Sequence, residues 1–185
     1  VQQAPRFSPE EMGIGAAAGE MVAEGETVFV GAGALPLAVA HHIASRPRIT
    51  VVTNSLDVAT YLTQRSDLPV ILTGGQVDRR AGALVGHVAG LALGELRADR
   101  AIIGVGGIHV PDGITGESLP EVQFVRAVIE LMPEVIVVAD THKWGHVGPA
   151  FLAPLEAIDV IVTSHQAPPA MVWDLSQLGI QIIQA

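Results

Sequence analysis

Short runs of Val and Ile alternate with Ala- and Leu-rich stretches along most of the chain. Strand-length apolar runs fall at TVFVGA (27–32), RITVVTN (48–54), PVILTGG (69–75), ALVGH (83–87), DRAIIGVGGI (99–108), EVIVVAD (134–140), AIDVIVTS (157–164) and GIQIIQA (179–185). Helical patterns occupy 9–23, 35–45, 55–65, the stretch from 87 to Leu96, and 119–132. The apolar runs are continuous, not alternating, so the strands they predict are buried on both faces. That is the pattern of a parallel sheet covered by helices. The strand–helix rhythm predicts the same architecture: an α/β, layered, mostly parallel Rossmann-like sheet with helices on both faces and right-handed crossovers. QVDRRAG (76–82) reads as a polar turn and 109–118 as a Gly-rich loop. Residues 1–11, with Pro5 and Pro9, read as a linker or tail, and 12–185 as a single domain. The full 185 residues fit one domain of roughly 100–200 residues.

Composition narrows the function. The chain carries a formal charge of −9 with only 16% charged and 4% aromatic residues. An acidic chain poor in aromatics does not offer a nucleic-acid face or a base-stacking platform. With 49% hydrophobic residues, dominant disorder is excluded. With no cysteine, so are a disulfide framework and a thiolate zinc site. Mean hydropathy is high at +0.45, yet no apolar run approaches the ~20 residues of a spanning helix. VQQAPRFSPEE at the start lacks a basic-then-apolar signal layout, so a cytoplasmic protein is expected.

Ligands of parallel α/β sheets bind beyond the carboxyl ends of the strands. There the sequence places Gly31-Ala32-Gly33-Ala34-Leu35-Pro36, Asn54-Ser55, Gly74-Gly75, Gly106-Gly107, Asp140-Thr141-His142-Lys143 and Ser164-His165. In GAGALP the glycines let backbone N–H groups approach an anion at a helix N-terminus, where Pro36 suits the first turn. Neither GxxxxGK[ST] nor GxGxxG is matched, and a tight turn is an equal reading. Lys143 is the chain's only lysine, a compact charge for a carboxylate, phosphate or hydroxyl. Asp140 either orients it, binds a hydroxyl, or caps the turn. His142 and His146 are separated by Gly145, His41-His42 point apart, and HExxH and GxSxG are absent. No metal site, cofactor or catalytic triad is expected.

Taken together, ITVVTNSLDVA (49–59), VILTGGQV (70–77), LVGHVA (84–89), LRADRAIIGVGGI (96–108), DGITGESLPEVQFVRAVIE (112–130) and VIVVADTHKWG (135–145) resemble the C-terminal effector domain of DeoR-family transcriptional repressors. The resemblance covers about residues 10–183. It implies the fold shared by ribose-5-phosphate isomerase, glucosamine-6-phosphate deaminase and CoA transferases. It also implies sensing of a phosphorylated sugar or related metabolite, homo-oligomerisation, and DNA binding through a winged helix-turn-helix domain absent from these residues. By motif, Thr53-Asn54-Ser55, Gly74-Gly75 and the D-x-x-K-[FWY]-G stretch of Asp140, Lys143, Trp144 and Gly145 carry over. Glu121 does too, followed in register by Arg126. In the family this lysine and glutamate face the effector, and the first loop binds its phosphate.

The implied ligand contacts are Gly31, Ala32, Gly33, Asn54, Ser55, Gly74, Gly75, Gly106, Gly107, Glu121, Asp140 and Lys143, with none catalytic. Three departures stand out. The family's first loop reads [DS]-[SAG]-G-T-T-T, whereas here every threonine hydroxyl is gone. Its later D-G is Gly106-Gly107, and Val125 replaces a basic residue. The apolar helix at 9–23 fits a homo-oligomer. The competing reading is a sugar-phosphate isomerase or deaminase, with Glu121 or Asp140 as base and Lys143 as electrophile. Gly104-Val105-Gly106-Gly107 lacks that isomerase's carboxylates. CoA transfer through Glu117 fits worse.

Overall fold

Ser8 starts the first helix, α1 (Pro9–Glu20), through a capping box: its side chain accepts from the Glu11 N–H while Glu11 reaches back to the Ser8 N–H. Helix formation thus begins inside the segment expected to be a linker. The computed structural model describes residues 5–185, and residues 1–4 of that expected linker lie outside the described residues. After α1 come β1 (Thr27–Val30), α2 (Ala34–Ile43), β2 (Thr50–Thr53), α3 (Leu56–Arg65), β3 (Val70–Leu72), β4 (Gln76–Asp78), β5 (Ala83–Val85) and α4 (His87–Glu95). The second half holds β6 (Arg100–Gly104), β7 (Gly107–His109), β8 (Gly113–Gly116), α5 (Leu119–Leu131), β9 (Val135–Ala139), β10 (Ala150–Ala153), β11 (Val160–Thr163), α6 (Pro169–Gln177) and β12 (Gln181–Gln184).

Seven strands form one sheet in the order β12-β11-β9-β6-β1-β2-β3, and every pairing in it is parallel. Its central strands are buried on both sides, as their continuous apolar runs require. Val28, Val51, Ile102, Ile136 and Val160 point to a core completed by α1, α2 and α3. Phe29, Val52, Ile103, Val137 and Ile161 point to the opposite core, completed by α4, α5, α6 and the smaller sheet. Fully burying each such side chain stabilises the fold by about 1.5–3 kcal/mol.

Helix α1 crosses α2 at close range because its contact face is nearly bare. A Cβ on Gly15 would sit 2.7 Å from the Ala38 carbonyl carbon. Ile14 and Ala18 are fully buried there. Part of the apolar surface from which a homo-oligomer was expected is therefore used within the chain, while Met12 of α1 stays exposed.

Three features depart from the sequence reading. The polar turn at 76–82 contains β4, which forms a hairpin with the expected strand β5. The end of the expected strand 99–108 breaks away as β7 and the Gly-rich loop contains β8; with β10 they make a three-stranded antiparallel sheet. Helix α6 lies in a stretch assigned no element. These strands have three or four residues each, too short to show a period.

Candidate functional site

The chain runs outward through β1, β2 and β3, then returns to place β6 on the other side of β1. The point where strand order reverses is the natural ligand crevice of an open α/β sheet. A cleft of about 240 Å³ opens there. One wall is the β1–α2 turn, Ala32 to Pro36. The floor is the end of β6, Gly104 to Gly106. The far side is Gly116, Glu117 and the first turns of α5, with Leu152 from β10 behind them. Asp140 and Lys143, following β9, complete it.

The turn bearing Asp140 and Lys143 is held firmly. Asp140 Oδ1 accepts from the His142 N–H at 2.9 Å, capping a short 3-10 turn over Thr141–Lys143. Its capping role is thus real, and Asp140 still lines the cleft. Thr141 gives its N–H and Oγ–H to one oxygen of Glu10, at 3.0 and 2.7 Å, and its Oγ also meets Ser164 Oγ at 2.9 Å. Trp144 is buried and donates Nε1–H to Thr163 Oγ1 at 2.9 Å. The Gly145 N–H donates to the Ile108 carbonyl at 2.8 Å. Helix α1, β11 and β7 thereby fix the turn from three sides. The hydrogen bond from Thr141 holds the Glu10 carboxyl below its ordinary range, against a smaller opposing effect of burial.

On the opposite wall α2 begins at Gly33, with φ +115° and no side chain capping the helix. Free first-turn N–H groups carry partial positive charge. Glu121 faces them from α5. Burial pushes its carboxyl above the ordinary range, reinforced by the negative charges of Asp78 and Glu117. An ionisable group kept in such surroundings in a cleft marks a functional-site candidate. Glu117 sits at the mouth, 3.4 Å from His146 Nε2 and 4.0 Å from Arg80. Among the described residues Lys143 makes no ion pair. No group of three or more His, Asp or Glu among them is placed to hold a metal.

Of the expected contacts, Ala32, Gly33, Gly106, Glu121, Asp140 and Lys143 meet at this cleft. The other six do not line it. Gly31 lies beneath, its N–H joined to the Ile102 carbonyl at 2.9 Å. Asn54 is buried and its Nδ2 donates to the Leu84 carbonyl at 3.1 Å, tying β2 to β5. Ser55 caps α3 at the Val58 N–H. Gly74 provides a turn at φ +72°, and Gly75 passes so close to α4 that a Cβ would lie 2.9 Å from Ala89 Cβ. Gly107 is needed because a Cβ would overlap the His146 carbonyl. Each of these motif residues serves the backbone. Conversely, Glu117, Val122, Val125 and Leu152 line the cleft without having been singled out as ligand contacts. Helical spacing from Glu121 reaches Val125 but not Val122. Leu152 carried no signal, since β10 itself was not legible.

A model of the DeoR C-terminal sensor domain matches residues 8–165. The chain belongs to the DeoR sensor family. It is 29% identical over 163 residues to the glycerol-3-phosphate regulon repressor of Escherichia coli, covering 88% of this chain and 65% of that protein. The chain thus spans just under two thirds of that relative's length. An uncharacterized HTH-type transcriptional regulator of the same organism, YgbI, is 32% identical over 95% of this chain and 69% of its own length. The transcriptional repressor AccR of Agrobacterium fabrum is 31% identical over 83% and 60%. The names of these relatives are those of transcriptional regulators and repressors, which supports a regulator over the competing isomerase reading. The fold is that of ribose 5-phosphate isomerase A of Methanocaldococcus jannaschii (TM-score 0.52, 16% identity, 72% of this chain and 53% of that one). It is likewise that of eIF2B beta from Chaetomium thermophilum (TM-score 0.59, 16% identity, 82% and 47%). No helix of this DeoR sensor domain is long and apolar enough to cross a membrane, among the described residues.

Proposed function

We propose that this is the sensing domain of a DeoR-type transcriptional regulator and that a small, sugar-like metabolite occupies the cleft at the strand-order reversal. The observation that carries the reading is the convergence of Lys143, Asp140 and Glu121 with the uncapped start of α2 around one cavity. Lys143 donates to ligand oxygens, Asp140 and Glu121 accept from hydroxyls, and Leu152, Val122 and Val125 cover the carbon skeleton. The volume lies below the roughly 300–1,000 Å³ of pockets for drug-sized ligands, which suits a molecule of a few carbons. The protein works in the cytoplasm. Occupancy changes DNA binding by a helix-turn-helix region other than this acidic domain, provided the ligand favours one of two arrangements of the whole regulator. A homo-oligomer is the proposed setting.

Thermal unfolding of the chain with sugars, polyols, sugar acids and sugar phosphates tests this. A ligand at 100 times its Kd adds about 2.7 kcal/mol of stability, and Lys143→Ala should remove the gain. Stabilisation indifferent to Lys143→Ala would place the site elsewhere. Conversion of the ligand during incubation would revive the isomerase reading.

A further inference from the structure

The cleft's charge balance specifies its ligand more narrowly, an inference that rests on the sensor reading above. Glu117, Glu121 and Asp140 line the cavity against the single ammonium of Lys143. Glu117 has His146 and Arg80 nearby, but Glu121 and Asp140 have no ion-pair partner among the described residues. The start of α2 could offset this excess, but it is depleted. Ala34 and Leu35 occupy the first two helical positions without a hydroxyl between them. The third is Pro36, which has no N–H to give. Leu35 and Pro36 are buried and bring only apolar side chains to this wall. A phosphate dianion placed there would find two helix N–H groups and one lysine, and would face an excess of carboxylates across a narrow cavity. Hydroxyl groups fit the same surroundings well, since each can donate to Asp140 or Glu121 and accept from Lys143.

We infer that the effector is a small neutral polyol or sugar carrying neither phosphate nor carboxylate. The carboxylates select it by accepting its hydroxyl protons and by repelling the anionic derivatives of the same carbon skeleton.

Calorimetric titration of the chain with matched triplets tests this: glycerol, glycerate and glycerol 3-phosphate; ribitol, ribonate and ribose 5-phosphate; sorbitol, gluconate and glucose 6-phosphate. Inorganic phosphate alone serves as the anion probe. The expected result is that the binding skeleton binds at least about tenfold tighter as its neutral member, with no saturable phosphate binding up to about 10 mM. Glu121→Gln should shrink the anion penalty severalfold, because it removes one negative charge at nearly constant shape. A phosphate ester that binds tighter than its neutral parent, and is lost in Lys143→Ala, overturns the inference and leaves the sensor pocket standing. So does saturable inorganic phosphate that depends on Lys143. Silence from all nine compounds overturns both.

Discussion

Thr141→Val is the sharpest probe of how the N-terminal helix holds the cleft. The substitution is nearly isosteric and removes one hydroxyl. That hydroxyl lies 2.7 Å from Glu10 Oε1 and 2.9 Å from Ser164 Oγ. A hydrogen bond to a charged group contributes about 1.5–3 kcal/mol net when shielded. Glu10 and Thr141 are only half-buried, so exposure to water brings the value to the bottom of that range or somewhat below it, about 1–2 kcal/mol. For a chain of this length the loss corresponds to a fall in melting temperature of roughly 3–6 °C. Glu10→Gln should cost about 1 kcal/mol, and the double variant should cost less than the sum, because the two share one contact. The carboxyl of Glu10 is held below 4.5. Its contribution is therefore present above that pH and disappears as pH falls through the lower, folded-state value. Chemical unfolding at pH 7 and again in the acid range measures all four forms. Additive effects, or a Thr141→Val penalty unchanged after Glu10 is protonated, would refute the reasoning.

Glu121 has the opposite sign. Its folded carboxyl titrates above 4.5, so the folded state holds the extra proton and stability falls as pH rises through that interval. Glu121→Gln should stabilise the free protein at pH 7 and make no difference well below 4.5, as equilibrium unfolding across pH would show. Gly15→Ala should destabilise by about 1–3 kcal/mol through forced separation of α1 and α2, whereas Gly90→Ala, with open space around its position in α4, should stabilise by about 0.4–1 kcal/mol; melting curves compare the pair. Trp144→Phe should leave Thr163 without its partner and cost about 1–3 kcal/mol, with weaker effector binding in the same titration because the Lys143 turn loosens.

The parallel sheet was readable because its strands are continuous Val/Ile runs such as VIVVA at 135–139, buried on both faces. The Asp140 and Lys143 turn was readable because it follows such a strand directly. What could not be read is what depends on distant backbone. Asn54-Ser55 and Gly74-Gly75 also follow strands, and only the tertiary structure shows that they tie loops and cap a helix. The wall formed by β8, β10 and the start of α5 comes from segments 113–116 and 150–153. Their pairing is set by contacts made some 35 residues apart, which leaves no local period in the chain.

The glycines around the cleft divide its surroundings into a part evolution can revise and a part it cannot. A Cβ on Gly106 would lie 2.9 Å from Gly116 Cα, and one on Gly148 would lie 2.6 Å from the Gly116 carbonyl oxygen. Main chain there rests directly on main chain, so no side chain exists to trade for another. Val122, Val125 and Leu152 line the cleft with side chains, which can be exchanged for others of similar volume. New ligand preferences on this scaffold would therefore arise by exchanging residues along α5 and β10 while the glycine side keeps its shape.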